Sequence, residues 1–261
     1  MPVRAGQRLL LVHAHPDDET INTGATMARY SAEGAAVTLV TCTLGEMGEI
    51  VVPELAGLAA DRGDQLGGYR MWELGRALAS LGVTDHHYLG GPGRWRDSGM
   101  MGTEANADPR AFWQAGTKSA AFETAVQALV ELIVFVRPHV VVTYDPDGGY
   151  GHPDHIMAHR VAMAAVAAAS AIWSVAKVYW TVSGHAQGTT SVDARSHLDA
   201  KRAAMCAHAT QITVTGDVFA LSNKIEHRLT GIERYRLVQG QLGELNGDGQ
   251  ETDLFAGIAA S

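Results

Sequence analysis

Residues 139–144, His-Val-Val-Val-Thr-Tyr, carry the strongest strand signal in the chain. The run is apolar without the alternation of a half-solvated strand, and residues 8–13 read the same way, as a fully buried strand. Strands of this kind belong to a sheet covered on both faces. Further strands are expected at 36–42, 86–89 and 175–182. Between them the spacing predicts helices at 20–31, 61–81, 120–136 and 153–170, and about 193–208 beyond. Gly34 and Gly82 stand where helix terminators belong, and Arg137-Pro138 ends the third helix. Alternation of this kind implies an α/β fold: a Rossmann-like, doubly wound, mostly parallel sheet with helices on both faces. The pattern weakens after residue 182, so a single domain over 1–261 is expected, with a core of about 1–182 and a small C-terminal lobe of about 183–261. Residues 90–117 are too long for a simple connector and read as a functional loop.

A hydrophobic content of 46% over 261 residues is enough for one large core. The formal net charge of -8 argues against non-specific binding to nucleic acid, which favours a basic face. Cys42 and Cys206 make no disulfide framework and read as reduced thiols. No segment has transmembrane length without a polar break, and the N-terminus lacks a signal-peptide core. A cytoplasmic protein with no membrane partner is the expectation. A homo-oligomer is left open.

Ligands of a parallel sheet bind beyond the carboxyl ends of its strands. The first strand is followed there by His13-Ala14-His15-Pro16-Asp17-Asp18-Glu19, and the Val-rich strand by Tyr144-Asp145-Pro146-Asp147-Gly148-Gly149-Tyr150-Gly151-His152-Pro153-Asp154-His155. Each turn combines histidine with carboxylates. A catalytic zinc takes three protein ligands of these types and keeps one position for water. His15 and Asp18, three residues apart on a turn entering a helix, can aim at one point, and His155 can supply the third ligand. Asp17, between the two, is the natural base for a water activated there. One His-Pro-Asp is often only a helix cap, and Asp154 has that reading. Two such turns at one sheet edge favour a metal site.

His-Pro-Asp-Asp-Glu after the first strand, with a later His-Pro-Asp-His, resembles the PIG-L (LmbE-like) zinc deacetylases over nearly the whole chain. Longer strings are similar to the branch of that family in the mycothiol pathway, which deacetylates N-acetylglucosaminyl-inositol. They are Thr41-Cys42-Thr43-Leu44-Gly45-Glu46, Asp64-Gln65-Leu66-Gly67-Gly68-Tyr69-Arg70, Gly93-Arg94-Trp95-Arg96-Asp97-Ser98-Gly99-Met100 and Ala207-His208-Ala209-Thr210-Gln211. The resemblance implies Zn2+ on His15, Asp18 and His155, Asp17 as general base, and His152 as oxyanion stabiliser or acid. It implies Tyr150 as a mobile tyrosine near the carbonyl, Arg70 and Asp97 on the sugar and inositol hydroxyls, and Glu49 and Met100 lining the pocket. Fe2+ or another divalent ion can take the same ligands. One departure concerns the connection from Val182 through Gly184-His185-Ala186-Gln187-Gly188, which is shorter here than in that branch, where it helps to cover the pocket.

The expected activity is therefore hydrolysis of the N-acetyl group of a small amino-sugar glycoside. The alternative within the class is an amidase acting on mycothiol conjugates or on a glycosylated natural product such as a glycopeptide antibiotic. A non-catalytic sugar- or nucleotide-binding protein is the competing class, and Asp17 beside the ligands speaks against it, since binding needs no base. Gly148-Gly149 lacks the Lys-Ser/Thr of a phosphate loop. His13 reads as a strand-end residue, and His86, His87, His139, His159, His185, His197, His208 and His227 as surface or packed histidines. Trp173, Trp180 and Phe135 read as core, while Trp95 has two readings, stacking on a sugar or pinning its loop.

Overall fold

Every side chain of Leu9, Leu10, Leu11 and Val12 is fully buried in β1 (Arg8–His13) of the computed structural model, which describes residues 4–116, 119–182 and 187–258. Leu9 and Leu11 face one layer of helices, and Leu10 and Val12 face the other. That two-sided cover is why the strand shows no polar alternation. In chain order there follow α1 (Asp18–Ala32), β2 (Ala36–Thr41), α2 (Leu66–Leu81), β3 (Asp85–Tyr88), α3 (Ala120–Val136) and β4 (Val140–Thr143). A single distorted turn, α4 (Gly148–Gly151), leads into α5 (Pro153–Ala169) and β5 (Lys177–Thr181).

These five strands are parallel in the order β3-β2-β1-β4-β5. The chain first winds from β1 toward β3, then restarts at β4 and winds the other way. The reversal lies between β1 and β4, and a crevice at their carboxyl ends follows from it. Helices α1 and α2 cover one face, and α3 and α5 the other.

The chain after residue 182 returns to the same sheet. β6 (Thr190–Asp193), α6 (Leu198–Ala207), a separate sheet of β7 (Thr213–Thr215), β8 (Val218–Ala220) and β9 (Glu226–Arg228), and β10 (Ile232–Gln239) complete the order. β10 lies antiparallel between β5 and β6 and extends the large sheet to seven strands. The expected helix over 193–208 is therefore shorter, because Thr190–Asp193 pairs with β10 some forty residues on, which no local pattern announces. The expected helix over 61–81 begins only at Leu66, and a 3-10 turn, Pro53–Leu58, precedes it. His185 and most of the short connection after Val182 lie outside the described residues. No helix among the described residues is long and apolar enough to cross a membrane.

Phe135 corrects the expectation of a core residue, since its side chain is 79% exposed. The buried stripe of α3 is Ala125, Leu129 and Ile133, and a residue two beyond Ile133 points away from it. Trp173 and Trp180 are only half-buried. Trp95 is buried against Phe112, ring centroids 5.8 Å apart, which pins the loop.

The C-terminal segment is held by a buried ion pair. Lys177 donates to Glu251 at 2.5 Å, and the same carboxylate accepts from Tyr179, Thr190 and the Gly243 amide. Removing one partner leaves the other charge buried and unpaired, at a cost of about 3–5 kcal/mol. Glu251→Ala is expected to lower the unfolding free energy by that order in urea titrations. A change well below about 1 kcal/mol would mean that Lys177 reaches water or another partner.

Candidate metal centre and active site

The turn after β1 is built on a strained residue. Asp17 has φ 107° and ψ -33°, a region that a non-glycine residue occupies at a cost on the order of 1–3 kcal/mol. It precedes α1 as its cap, yet its side chain makes no capping hydrogen bond. The carboxylate turns instead to Arg70, whose guanidinium donates to it at 3.0 Å. The strain sets Asp17 and Asp18 on different courses: Asp18 begins the helix, and its Oδ2 accepts the His15 amide at 2.9 Å.

Three ligand atoms converge beside this turn. His15 Nδ1 lies 3.3 Å from Asp18 Oδ2, Asp18 Oδ2 lies 3.3 Å from His155 Nε2, and His155 Nε2 lies 3.3 Å from His15 Nδ1. An ion bound tetrahedrally with bonds of about 2.0–2.1 Å needs its ligands about 3.3 Å apart. The other ring nitrogens are already engaged. His155 Nδ1 donates to the Gly148 carbonyl at 3.1 Å, and His15 Nε2 donates to Asp154 at 3.2 Å. Partners of this kind select the tautomer that leaves the opposite nitrogen free to ligate. Gly148 is required for the approach, because with φ +65° a Cβ there would fall 2.7 Å from the Cβ of His155. These residues fit a divalent cation in number, type and spacing.

His152 shares the pocket, its ring centroid 4.6 Å from that of His15 and 5.1 Å from that of His155. It caps α5, with Nδ1 accepting the Asp154 amide at 3.2 Å. The ring proton of neutral His152 therefore sits on Nε2, as a donor. Two further groupings of ligand atoms, His15 with His152 and His155 and His15 with Asp97 and Asp154, each lie within 4.8 Å of one another, and protein donors already engage the two carboxylates of the latter. Asp154 takes Ser98, and Asp97 takes the amides of Met47 and Gly99.

Charge in the pocket favours a cation. Burial works against a charged His15, yet Asp97, Asp154 and Asp18 outweigh it and hold its pKa well above the usual value. Burial likewise opposes the Asp18 carboxylate, which His155 and His15 nonetheless hold ionised. Burial lowers His152 to about 3, with His15 and His155 pushing the same way, so it is neutral. Burial raises Asp17 to about 6 against the pull of Arg70. Four buried or nearly buried carboxylates around this histidine cluster favour added positive charge, and a cation supplies it.

The fold thus brings His15, Asp17, Asp18, His152, His155 and Asp97 to one crevice, with Arg70 beneath it. Arg70 is 3% exposed and also donates to the carbonyls of Pro16 and Gly45. Tyr150 stands at the rim, 65% exposed, with its ring centroid 5.0 Å from that of His155. Met100 is exposed on the loop after Asp97. Glu49 lies farther out, at a groove of about 600 Å³ with Ile50, Thr213, Phe219 and Lys224 along its walls. Asp154 is more than the helix cap expected of it: the cap is His152, and the Asp154 carboxylate, 0% exposed, orients His15. Tyr144, which opens the second string without a role there, stacks on His155 at 4.2 Å while its hydroxyl takes the Ala14 amide.

Partners of metal-ligating histidines typically contribute roughly 10- to 100-fold to metal affinity. Asp154→Asn is expected to weaken the metal by that order in chelator competition, while His155→Ala loses the equivalent outright. A full equivalent retained by His155→Ala would exclude the assignment.

Residues 10–166 match the family model described as PIG-L, GlcNAc-PI de-N-acetylase. The 1D-myo-inositol 2-acetamido-2-deoxy-alpha-D-glucopyranoside deacetylase of Geodermatophilus obscurus is 54% identical over 295 residues, covering 97% of this chain and 98% of the relative. The deacetylase of the same name from Streptomyces griseus is 52% identical, covering 97% and 89%. Among solved structures, the N,N'-diacetylchitobiose deacetylase of Pyrococcus horikoshii superposes with a TM-score of 0.64 at 21% identity, covering 92% of this chain and 86% of that one. The Pseudomonas hydratase GalB reaches 0.65 at 18%, covering 92% and 100%, a likeness of fold. With the family model spanning more than half of the sequence and relatives above half identity along nearly all of it, the chain belongs to the PIG-L family of metal-dependent deacetylases.

Proposed function

We propose that this protein is a zinc-dependent hydrolase of mycothiol biosynthesis that removes the N-acetyl group of 1D-myo-inositol 2-acetamido-2-deoxy-α-D-glucopyranoside, the substrate its relatives are named for. The observation that carries the reading is the 3.3 Å triangle of His15, Asp18 and His155, with Asp17 directly before Asp18 in the same turn and its carboxylate on Arg70. The donor set of two imidazoles and one carboxylate suits Zn2+ and leaves a fourth position.

When bound, the cation polarises the acetyl carbonyl and lowers the pKa of a water toward neutrality. The protein's own residues do the rest. Asp17, held by Arg70, accepts the proton of the attacking water. His152, neutral and protonated on Nε2, donates a hydrogen bond to the oxyanion that forms on the acyl carbon, and the N-terminus of α5 adds its positive end. Tyr150 closes from the rim toward the same oxygen. Asp17 then returns its proton to the departing amine. Asp97 accepts the amides of Met47 and Gly99, and its Oδ1 also faces His15 Nε2 at 3.6 Å; in this reading its remaining lone pairs take sugar hydroxyls. Met100 and Glu49 line the approach.

Acetate release from N-acetylglucosaminyl-inositol, free N-acetylglucosamine and a mycothiol conjugate, each with and without chelator, tests the substrate. The inositol glycoside is expected to be turned over fastest, and only without chelator. General base catalysis contributes roughly 10²–10⁴-fold, so Asp17→Asn is expected to slow turnover by that order with metal content near one. Full activity of that variant would exclude Asp17 as the base.

A further inference from the structure

The string Ala207-His208-Ala209-Thr210-Gln211 has no part in the chemistry above, yet all of it but Ala209 is buried. His208 follows α6 and is 0% exposed. Its Nε2 donates to Glu19 Oε1 at 2.8 Å. Glu19 is also 0% exposed, and its other oxygen accepts the backbone N–H of Asp17 at 2.9 Å. Burial opposes both charges, but Glu19 is held ionised by His208, and His208 protonated by Glu19.

The carbonyl of the same peptide unit, that of Pro16, accepts from Arg70. The Pro16–Asp17 peptide is thus gripped at both polar atoms, by Arg70 on one side and Glu19 on the other. The two arms share a tie. Thr210 donates its amide and hydroxyl to Glu73 at 2.8 and 2.6 Å, and Glu73 lies one turn beyond Arg70 on α2.

A glutamate near the start of a helix often serves only as half of a reciprocal cap. Here the other half is missing, because the Asp17 side chain makes no capping bond. The backbone of Asp17 also lies at φ 107°, outside the extended region usual for a cap. The contact therefore holds a strained conformation in place, on the residue that directly precedes Asp18, and in that conformation the carboxylate meets Arg70.

We propose that Glu19 and His208 are positioning residues for Asp17: through the Asp17 amide they fix the backbone turn that holds its carboxylate at the reacting water. The proposal rests on Asp17 being the base. A residue acting only through Asp17 contributes nothing once the base is gone, so a double-mutant cycle separates positioning from general stability.

The variants are Glu19→Ala, Glu19→Gln, His208→Ala, Asp17→Asn and the double Asp17→Asn/Glu19→Ala, assayed as metal-loaded enzyme for kcat, KM, metal content and melting temperature. Supporting contacts of this kind typically contribute roughly 10- to 100-fold. Glu19→Ala is expected to lose kcat by that order with KM and metal content unchanged. The double variant is expected to be no slower than Asp17→Asn alone. Glu19→Gln is expected to recover most of the rate, since its oxygen can accept the Asp17 amide. Its NH2 can then face His208, whose Nδ1 has no partner among the described residues and can carry the proton. Additive losses in the cycle, or a Glu19→Gln variant as slow as Glu19→Ala, would overturn positioning while leaving Asp17 as the base. An Asp17→Asn enzyme of full activity would instead overturn the reading beneath it. If Glu19→Ala does not fold, His208→Ala enters the cycle in its place, with the same non-additivity expected.

Discussion

Two imidazoles and a carboxylate that meet at 3.3 Å are hard to keep together without an ion, and much of the structure serves to hold them. His15 and Asp18 come from the turn after β1, and His155 from α5 after β4. These turns are neighbours only because the sheet reverses its winding between β1 and β4. Register sets the depth: Leu11 pairs with Val142, so the two strands end nearly level and their following turns enter the same crevice. Around the triangle, Asp154 and the Gly148 carbonyl select the ring tautomers, and Tyr144 stacks against His155.

The crevice accumulates carboxylates that a protein interior ordinarily rejects. Asp18, Asp97 and Asp154 are almost fully buried, and Asp17 adjoins them. Each is answered by a specific donor: His15 and His155 for Asp18, the Met47 and Gly99 amides for Asp97, Ser98 for Asp154 and Arg70 for Asp17. Two of these donors, Ser98 and the Gly99 amide, come from the long loop 90–117, where residues 97–99 are buried while much of the loop around them is exposed. Trp95 anchors it from below. Moving this stretch would unpair Asp97 and Asp154 together.

Much of the site was legible before the fold was known. His15, Asp17, Asp18, His152 and His155 sit on two short strings, and the period of the flanking segments placed both strings at strand ends. Asp154 was less legible, because Pro-Asp at a helix start also satisfies free amides, and spacing does not say which way a carboxylate turns. Glu19 and His208 were beyond local inference. They stand 189 residues apart, and α6 must pack on α1 before they meet. Phe135 failed for a simpler reason: α3 is apolar on most of its surface, so composition hid which stripe faces inward.

The sequence by itself determined the elements and the chemistry available to them. Near-continuous apolar strands demanded cover on both faces, and histidine with carboxylate after two of them offered candidate metal ligands and a candidate base. Tertiary structure decided which atoms of those residues converge and which are spent on support. It also decided that the chain beyond residue 182 completes the main sheet through β10 and β6. Both decisions rest on pairings between distant segments. The free energy of such pairings comes from burial and from hydrogen bonds that exist only once the layers close, so no window of sequence contains them.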